Sequence, residues 1–183
     1  EVLGLRGWLL AQRGDIKGAI TSLKEAQSKG ASQKLSVDIA RLQKSAMDLD
    51  GAEETLKNWL QSHPEDGVVL LELGQLYMQR NQPDPAVATF EKALVVLPKS
   101  VLAHVALAKL LQDSDKERAY DHATKAFGLA EADPIVLDVM GSMELARGNG
   151  ARSVELLERA VDNGATSPSI RFHYAKALAA MGR

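Results

Sequence analysis

The chain has 183 residues, of which 45% are hydrophobic, 25% are charged and 4% are aromatic, and its formal net charge is −2. The balance of 22 basic and 24 acidic side chains argues against a nucleic-acid-binding surface, which needs an excess of lysine and arginine on one face. The absence of cysteine excludes disulfides and thiolate metal sites, and no apolar run approaches the roughly 18–20 residues that cross a bilayer.

Small residues return at a fixed interval along the chain. In one set of predicted helices they are Gly7, Ala40, Gly74, Ala108, Gly141 and Ala175. In the helices that follow, they are Ala19, Ala52, Ala86, Ala119 and Ser153. Successive members of each set are 33 or 34 residues apart. A helix pair of this size cannot bury its own apolar face, so such pairs must stack on one another.

The interval predicts a single array of helix pairs. The expected units are 1–32, 33–66, 67–100, 101–133 and 134–167, followed by a half unit at 168–183. Because the array starts and stops inside a unit, we expect the chain to be a fragment of a longer protein. The turns at Gly14-Asp15 and Gly148-Asn149 are expected to combine a left-handed glycine with a helix-capping side chain, and the turn of the fourth unit is one residue shorter.

The clearest unit spans residues 67–100. Its apolar and small positions are Leu70, Leu73, Gly74 and Tyr77 in the first helix, and Ala86, Phe90, Ala93 and Pro98 in and after the second. This order resembles the tetratricopeptide repeat (TPR), whose unit has 34 residues. The resemblance implies an all-α fold, a right-handed α–α superhelix (a TPR solenoid) of about five helix pairs plus one extra helix.

Three residues depart from the repeat pattern. Trp59 stands where the repeat usually has alanine, so the second unit must open to admit the indole or leave it at the surface. Gln43 and Glu144 occupy a position that is often aromatic. We therefore expect the second and fifth units to pack less tightly than the third.

Side chains suited to catalysis show no productive spacing in the sequence. The four histidines are His63, His104, His122 and His173, and none forms a metal-binding HExxH pair. The sequence has no GxSxG elbow and no phosphate-binding GxxxxGK[ST] loop. His122, beside Asp121 and near Lys125, is expected on a solvated face. We therefore expect no enzyme activity, no cofactor and no metal site.

The first helices of successive units line a concave groove in tetratricopeptide repeat proteins, and that groove commonly holds a peptide. Carried over position by position, the resemblance predicts partner-binding residues at Lys34, Val37, Arg41, Lys44, Val68, Leu71, Gln75, Met78, Leu102, Val105 and Lys109. Further groove positions are Gln112, Asp138, Ser142, Phe172 and Lys176. Together they predict a basic wall beside an apolar strip, and a large exposed apolar strip usually marks a partner site.

A finer resemblance concerns residues 133–141 and 169–175. These stretches are similar to the last repeats of large bacterial tetratricopeptide proteins that accompany PEP-CTERM (exosortase) and exopolysaccharide export systems. That resemblance implies a periplasmic or outer-membrane-associated protein; without it, a cytoplasmic location is the expectation.

Three functional hypotheses follow from the repeats and from the lack of catalytic groups. The first is a non-catalytic scaffold that binds a protein or peptide in the groove, with no nucleic acid as partner and no insertion into a membrane. The second is a non-catalytic arm of a larger enzyme such as a glycosyltransferase. The third is an array that associates with itself through apolar faces at its ends.

Overall fold

The computed structural model describes residues 2–164 and 167–182, and these residues form eleven α-helices. In chain order the helices are α1 (Val2–Gln12), α2 (Ile16–Lys29), α3 (Gln33–Ser45), α4 (Leu49–Ser62), α5 (Gly67–Gln79), α6 (Pro83–Val96), α7 (Val101–Leu111), α8 (Lys116–Leu129), α9 (Pro134–Ala146), α10 (Gly150–Asp162) and α11 (Pro168–Ala180). Within these described ranges, no helix is both long enough and apolar enough to span a membrane.

Consecutive helices pack as pairs: each of the five predicted full repeats contains one pair, and the half unit contains α11. The chain divides into two compact units: the first, containing α1 to α6, ends at Leu97, and the second, containing α7 to α11, begins at Pro98. First helices of neighbouring pairs also contact each other within a unit: α3 contacts α5, and α9 contacts both α7 and α11. Helices α3 and α5 therefore form one face in the first unit, and α7, α9 and α11 form one face in the second.

The recurring small residues lie where paired helices come closest, as the spacing predicts. A Cβ atom at Gly74 would lie 2.8 Å from the Phe90 ring, and one at Gly7 would lie 2.6 Å from Leu23. Alanines at the equivalent positions, such as Ala40 and Ala52, are completely buried. Ala175 is an exception because it is exposed, whereas Ala177 is the buried alanine of α11.

The predicted turns are confirmed in part. Gly14 has φ of 81°, and the side chain of Asp15 caps α2 by accepting a hydrogen bond from the Gly18 amide. Gly148 has φ of 84°, but Asn149 does not cap α10. Its side-chain amide instead donates a hydrogen bond to Oε2 of the buried Glu144 at 2.6 Å.

The left-handed turn position is filled differently in the middle repeats. Met47 has φ of 61° and Asn81 has φ of 55°, at the places where the first and fifth repeats have glycine. The fourth turn is not shorter, contrary to the expectation: α7 ends at Leu111 and α8 begins at Lys116, so four residues connect them, against three between α5 and α6. The helix itself is shorter, with 11 residues in α7 and 13 in α5. The Leu111 carbonyl accepts a hydrogen bond from the Asp115 amide at 2.8 Å. That amide bond closes the connection before the Asp115 side chain caps α8.

The residues that depart from the repeat pattern find specific partners. Gln43 is 1% exposed and accepts a hydrogen bond from the Thr55 hydroxyl at 2.8 Å. Glu144 is also buried, and α9 and α10 pack as extensively as α5 and α6, so the expectation of looser packing in the fifth unit is wrong. The α3–α4 pair does pack less extensively than α5–α6, in line with the expectation for the second unit.

Trp59 is half-buried at the end of α4, where it stacks on His63 with ring centroids 3.9 Å apart. Its Nε1 donates a 2.7 Å hydrogen bond to Asp66, which also accepts from the Gln33 side chain at 2.7 Å and caps α5. Burial alone would raise the pKa of Asp66, but these hydrogen bonds outweigh it and lower the pKa. The indole therefore anchors the turn between two repeats.

Candidate functional site

The first compact unit presents one face built from α3 and α5, which we call the α3–α5 face. Its members are Lys34, Arg41, Lys44, Val68, Leu71, Gln75 and Met78. Val68 and Met78 are 42% and 37% exposed, and Leu71 and Gln75 are half-buried. The apolar strip predicted on α5 is therefore accessible to a partner, and a surface pocket continues it past Val68 towards the turn at Pro64.

Val37 does not belong to this face. Its side chain is only 6% exposed, because it lies one turn before the fully buried Ala40 on the packed side of α3. Val37 therefore belongs to the core, and its prediction as a partner-binding residue is wrong.

The predicted basic wall is largely neutralised by Glu72, which sequence reasoning missed. Glu72 accepts hydrogen bonds from Arg41 Nε at 2.8 Å, from Arg41 Nη2, and from Lys44 Nζ at 2.9 Å. Lys34 pairs in turn with Asp38 at 2.5 Å. The three predicted cations of the α3–α5 face are thus already engaged. The sequence indicated this cluster only by placing the acidic Glu72 31 residues after Arg41 and 28 residues after Lys44, which is close to one repeat.

Glu72 is held in its charged form although it is 6% exposed. Burial alone would raise the pKa of its carboxyl group, but the hydrogen bonds from Arg41 and Lys44 together lower that pKa below its ordinary value. The cluster therefore ties α3 to α5 as an ion-paired link between two repeats.

The second compact unit presents a corresponding face from α7, α9 and α11, which we call the α7–α11 face. It contains Leu102, Val105, Lys109, Phe172, His173 and Lys176. Leu102 and Phe172 are 41% and 65% exposed, and Val105 is half-buried. Lys109, Lys176 and the predicted groove residue Gln112 are exposed.

Asp138 and His173 form a hydrogen-bonded pair on this face that the sequence did not predict. Asp138 is 3% exposed, and its Oδ1 lies 2.6 Å from His173 Nδ1. Because an ionised carboxylate can only accept, Nδ1 carries the hydrogen and the other ring nitrogen is directed away from Asp138. The nearby Ser142 hydroxyl is buried without a hydrogen-bond partner among the residues that the structure describes.

His122 does not lie on a solvated face, contrary to the expectation from its neighbours. It is half-buried, and its Nδ1 lies 2.9 Å from Nδ1 of His104. His104 Nε2 lies 3.2 Å from the Pro98 carbonyl oxygen, so Nε2 donates there and Nδ1 accepts from His122. Burial, followed by repulsion from His104, lowers the pKa of His122.

In the described part of the chain, no group of three or more histidine, aspartate or glutamate side chains is arranged to hold a metal ion. The two faces present apolar side chains, and the α7–α11 face adds a buried aspartate bonded to a partly exposed histidine and two exposed lysines.

Residues 45–111 match the family described as Tetratricopeptide repeat. No curated protein sequence matches the chain. A tetratricopeptide repeat protein from Parabacteroides merdae ATCC 43184 superimposes with a TM-score of 0.82 at 19% identity, covering 98% of this chain and 72% of that one.

Two further solved structures share the fold. A thermophilic TPR protein from Thermus thermophilus has a TM-score of 0.68 at 17% identity and covers 97% of both chains. A chain of the APC/C hetero-tetramer Cut9–Hcn1 has a TM-score of 0.76 at 15% identity, covering 94% of this chain and 35% of that one. At these identities the likeness concerns the fold, and it confirms the predicted all-α solenoid. Residues 45–111 thus match the tetratricopeptide repeat in sequence, and the described chain shares the fold of tetratricopeptide repeat proteins.

Proposed function

We propose that the protein is a non-catalytic scaffold that binds a protein partner through the first helices of its repeats. The observation that carries this proposal is the exposed apolar strip on α5, where Val68 and Met78 flank the half-buried Leu71. Leaving these side chains in water is unfavourable, and an accessible strip of this kind usually marks a partner site.

The ion cluster beside the strip supports the same function. Arg41 and Lys44 on α3 pair with Glu72 on α5, so ion pairs link the helix that carries the apolar strip to its neighbour. A surface that is ordered before binding loses less conformational entropy on association. Glu72, Arg41 and Lys44 thus hold the two helices together, and the apolar strip on α5 provides the surface that contacts the partner.

The comparisons support a scaffold at the level of the fold. The Cut9–Hcn1 structure is a hetero-tetramer, so a protein with this fold takes part there in a multi-chain assembly. A role in a bacterial export or exopolysaccharide assembly rests on the resemblance of residues 133–141 and 169–175 alone. It remains the narrower form of the proposal.

Photo-crosslinking tests the proposal in cells that express the protein. A benzoylphenylalanine at Met78 is expected to capture a specific partner. The same group at Val95 is the matched control, because Val95 is also apolar and is 84% exposed, but lies on α6, the second helix of the pair. Equal capture from both positions, or none from Met78, would refute the scaffold proposal for this face.

A further inference from the structure

We infer that the α7–α11 face binds an acidic peptide segment that carries large apolar side chains. This inference rests on the proposed function and narrows it, because it names the chemistry of a partner and the unit that would recognise it.

The exposed charges of the helices that form the α7–α11 face are all positive. Helices α7, α9 and α11 contain two acidic residues, Asp138 and Glu144, and both are buried. Asp138 is bonded to His173, and Glu144 accepts from Tyr120 and Asn149. No carboxylate of these three helices is therefore available to a lysine on their surface.

Lys109 and Lys176 stand at the same groove position of the fourth and sixth repeats. Both are exposed, and neither has an ion pair within residues 2–164 and 167–182. Arg41 stands at the equivalent position of the second repeat, where Glu72 satisfies it. Cations without partners attract carboxylates and raise the rate at which an acidic segment docks, whereas a cation already paired offers little.

The aspartate–histidine pair adds a directed polar group on α11, the helix that carries Lys176. His173 lies one turn before Lys176 on α11, and its side chain is 33% exposed. Since Asp138 holds Nδ1, the ring is fixed in orientation and its other nitrogen is left to meet a partner. The buried Asp138 carboxylate therefore orients His173 and does not pair with the exposed lysines of this face.

The apolar part of the partner is indicated by Phe172. Its ring is 65% exposed, its centroid lies 5.9 Å from that of His173, and Leu102 on α7 is 41% exposed. Aromatic and leucine side chains on one face with lysines match a segment that alternates carboxylates with large apolar residues.

The test is a binding titration of the full chain with labelled dodecapeptides that alternate Glu with Leu and Phe. Versions with Gln or Lys in place of Glu serve as controls. We expect the acidic peptide to bind, its affinity to fall with added salt, and the Gln version to bind about tenfold more weakly. The Lys version is expected not to bind.

The variant Lys109→Gln/Lys176→Gln should weaken binding of the acidic peptide about fivefold or more. Lys92→Gln/Lys116→Gln removes the same charge from the second helices α6 and α8 and should leave binding unchanged. Equal binding of the Glu and Gln peptides, or equal loss in both variants, would overturn the inference. If the acidic peptide fails while Met78 still crosslinks a partner, only this inference falls; if both fail, the proposed function falls as well.

Discussion

Tyr120 on α8 donates its hydroxyl to Glu144 on α9 at 3.0 Å, and this pair is the reverse of one found two repeats earlier. In that earlier pair, the hydroxyl of Tyr77 on α5 donates to Glu53 on α4 at 3.2 Å. The tyrosine and the carboxylate have exchanged places while the hydrogen bond has been kept. The bond to Glu144, together with burial, raises the pKa of Tyr120.

The exchanged pair predicts strong coupling between its two positions. Tyr120→Glu and Glu144→Tyr should each lower the free energy of unfolding by about 2 kcal/mol. The first places a second carboxylate beside the buried Glu144, and the second removes the acceptor of both Tyr120 and Asn149. The double exchange rebuilds the Tyr77–Glu53 arrangement and should recover at least about half of the summed loss. Urea denaturation measures all three. Additive losses would mean that the hydrogen bond contributes little.

Arg147 provides a check on the same pair. Its guanidinium lies 3.7 Å from the centroid of the Tyr120 ring, whereas Arg80, two repeats earlier, pairs with Glu53 at 3.2 Å. In the double exchange, Arg147 can pair with the new glutamate as Arg80 does. Arg147→Gln should therefore reduce the recovery that the exchange produces.

A second prediction concerns the close approach of α5 and α6. Gly74→Ala should lower the free energy of unfolding by about 1–3 kcal/mol, because the added methyl would lie 2.8 Å from the Phe90 ring. The second repeat has Ala40 and Leu56 at these two positions, and both are fully buried. Gly74→Ala/Phe90→Leu should thus cost less than the sum of the two single changes, as measured by denaturation. A neutral Gly74→Ala would show that the helices can separate freely.

The left-handed residue Met47 offers a stabilising change. Its φ of 61° is unfavourable for a side chain with Cβ, and the side chain is 73% exposed, so little packing is lost on its removal. Met47→Gly should raise the free energy of unfolding by about 1 kcal/mol. Asn81→Gly is the matched control and should gain less, since asparagine tolerates this region better. Thermal melting that ranks the two variants in the opposite order would contradict this account.

The His104–His122 pair predicts a loss of stability in mild acid. The pKa of His122 is below its ordinary value of 6.5, so the unfolded chain binds a proton before the folded chain does. Stability from this pair is present above pH 6.5 and falls as the pH drops below that value towards the lowered pKa. The titratable and charged groups that act on the pKa of His122 are His104, Lys125, Asp121 and Arg118, and of these only Asp121 favours protonation of the ring.

The measurement is the melting temperature between about pH 7.5 and about pH 5. His122→Gln should make the melting temperature depend less on pH in this interval. The steeper fall in melting temperature at lower pH, where Glu72 and Asp66 become protonated, should remain. An equally steep decline in the variant across the same interval would exclude the histidine pair as its cause.

The sequence predicted the core better than the surface. Gly74 and Phe90 could be placed together because both follow the repeat interval and because close packing tolerates few residues there. Pairs such as Glu72 with Arg41, 31 residues apart, depend on which side chains happen to meet between repeats. The repeat interval does not show which surface side chains meet. The sequence therefore predicted a basic wall where the structure has the ion cluster of Arg41, Lys44 and Glu72.

Val37 and Ala175 illustrate a second limit. The repeat pattern assigns one residue to the groove and the other to the core, yet Val37 is buried and Ala175 is exposed. A position's burial depends on the helices that actually pack against it as well as on its place in the repeat. Carrying a role over by position alone therefore misplaces residues of this kind.

The most direct test of the central claim is the affinity for the partner captured from Met78, measured for three forms of the protein. Val68→Ser/Met78→Ser removes the exposed apolar strip of α5, and Val95→Ser removes an equally apolar but more exposed side chain from α6. If the first-helix face is the binding surface, the α5 variant should bind at least about tenfold more weakly, and Val95→Ser should bind like the original protein. Unchanged affinity in the α5 variant, or a loss confined to Val95→Ser, would contradict the account.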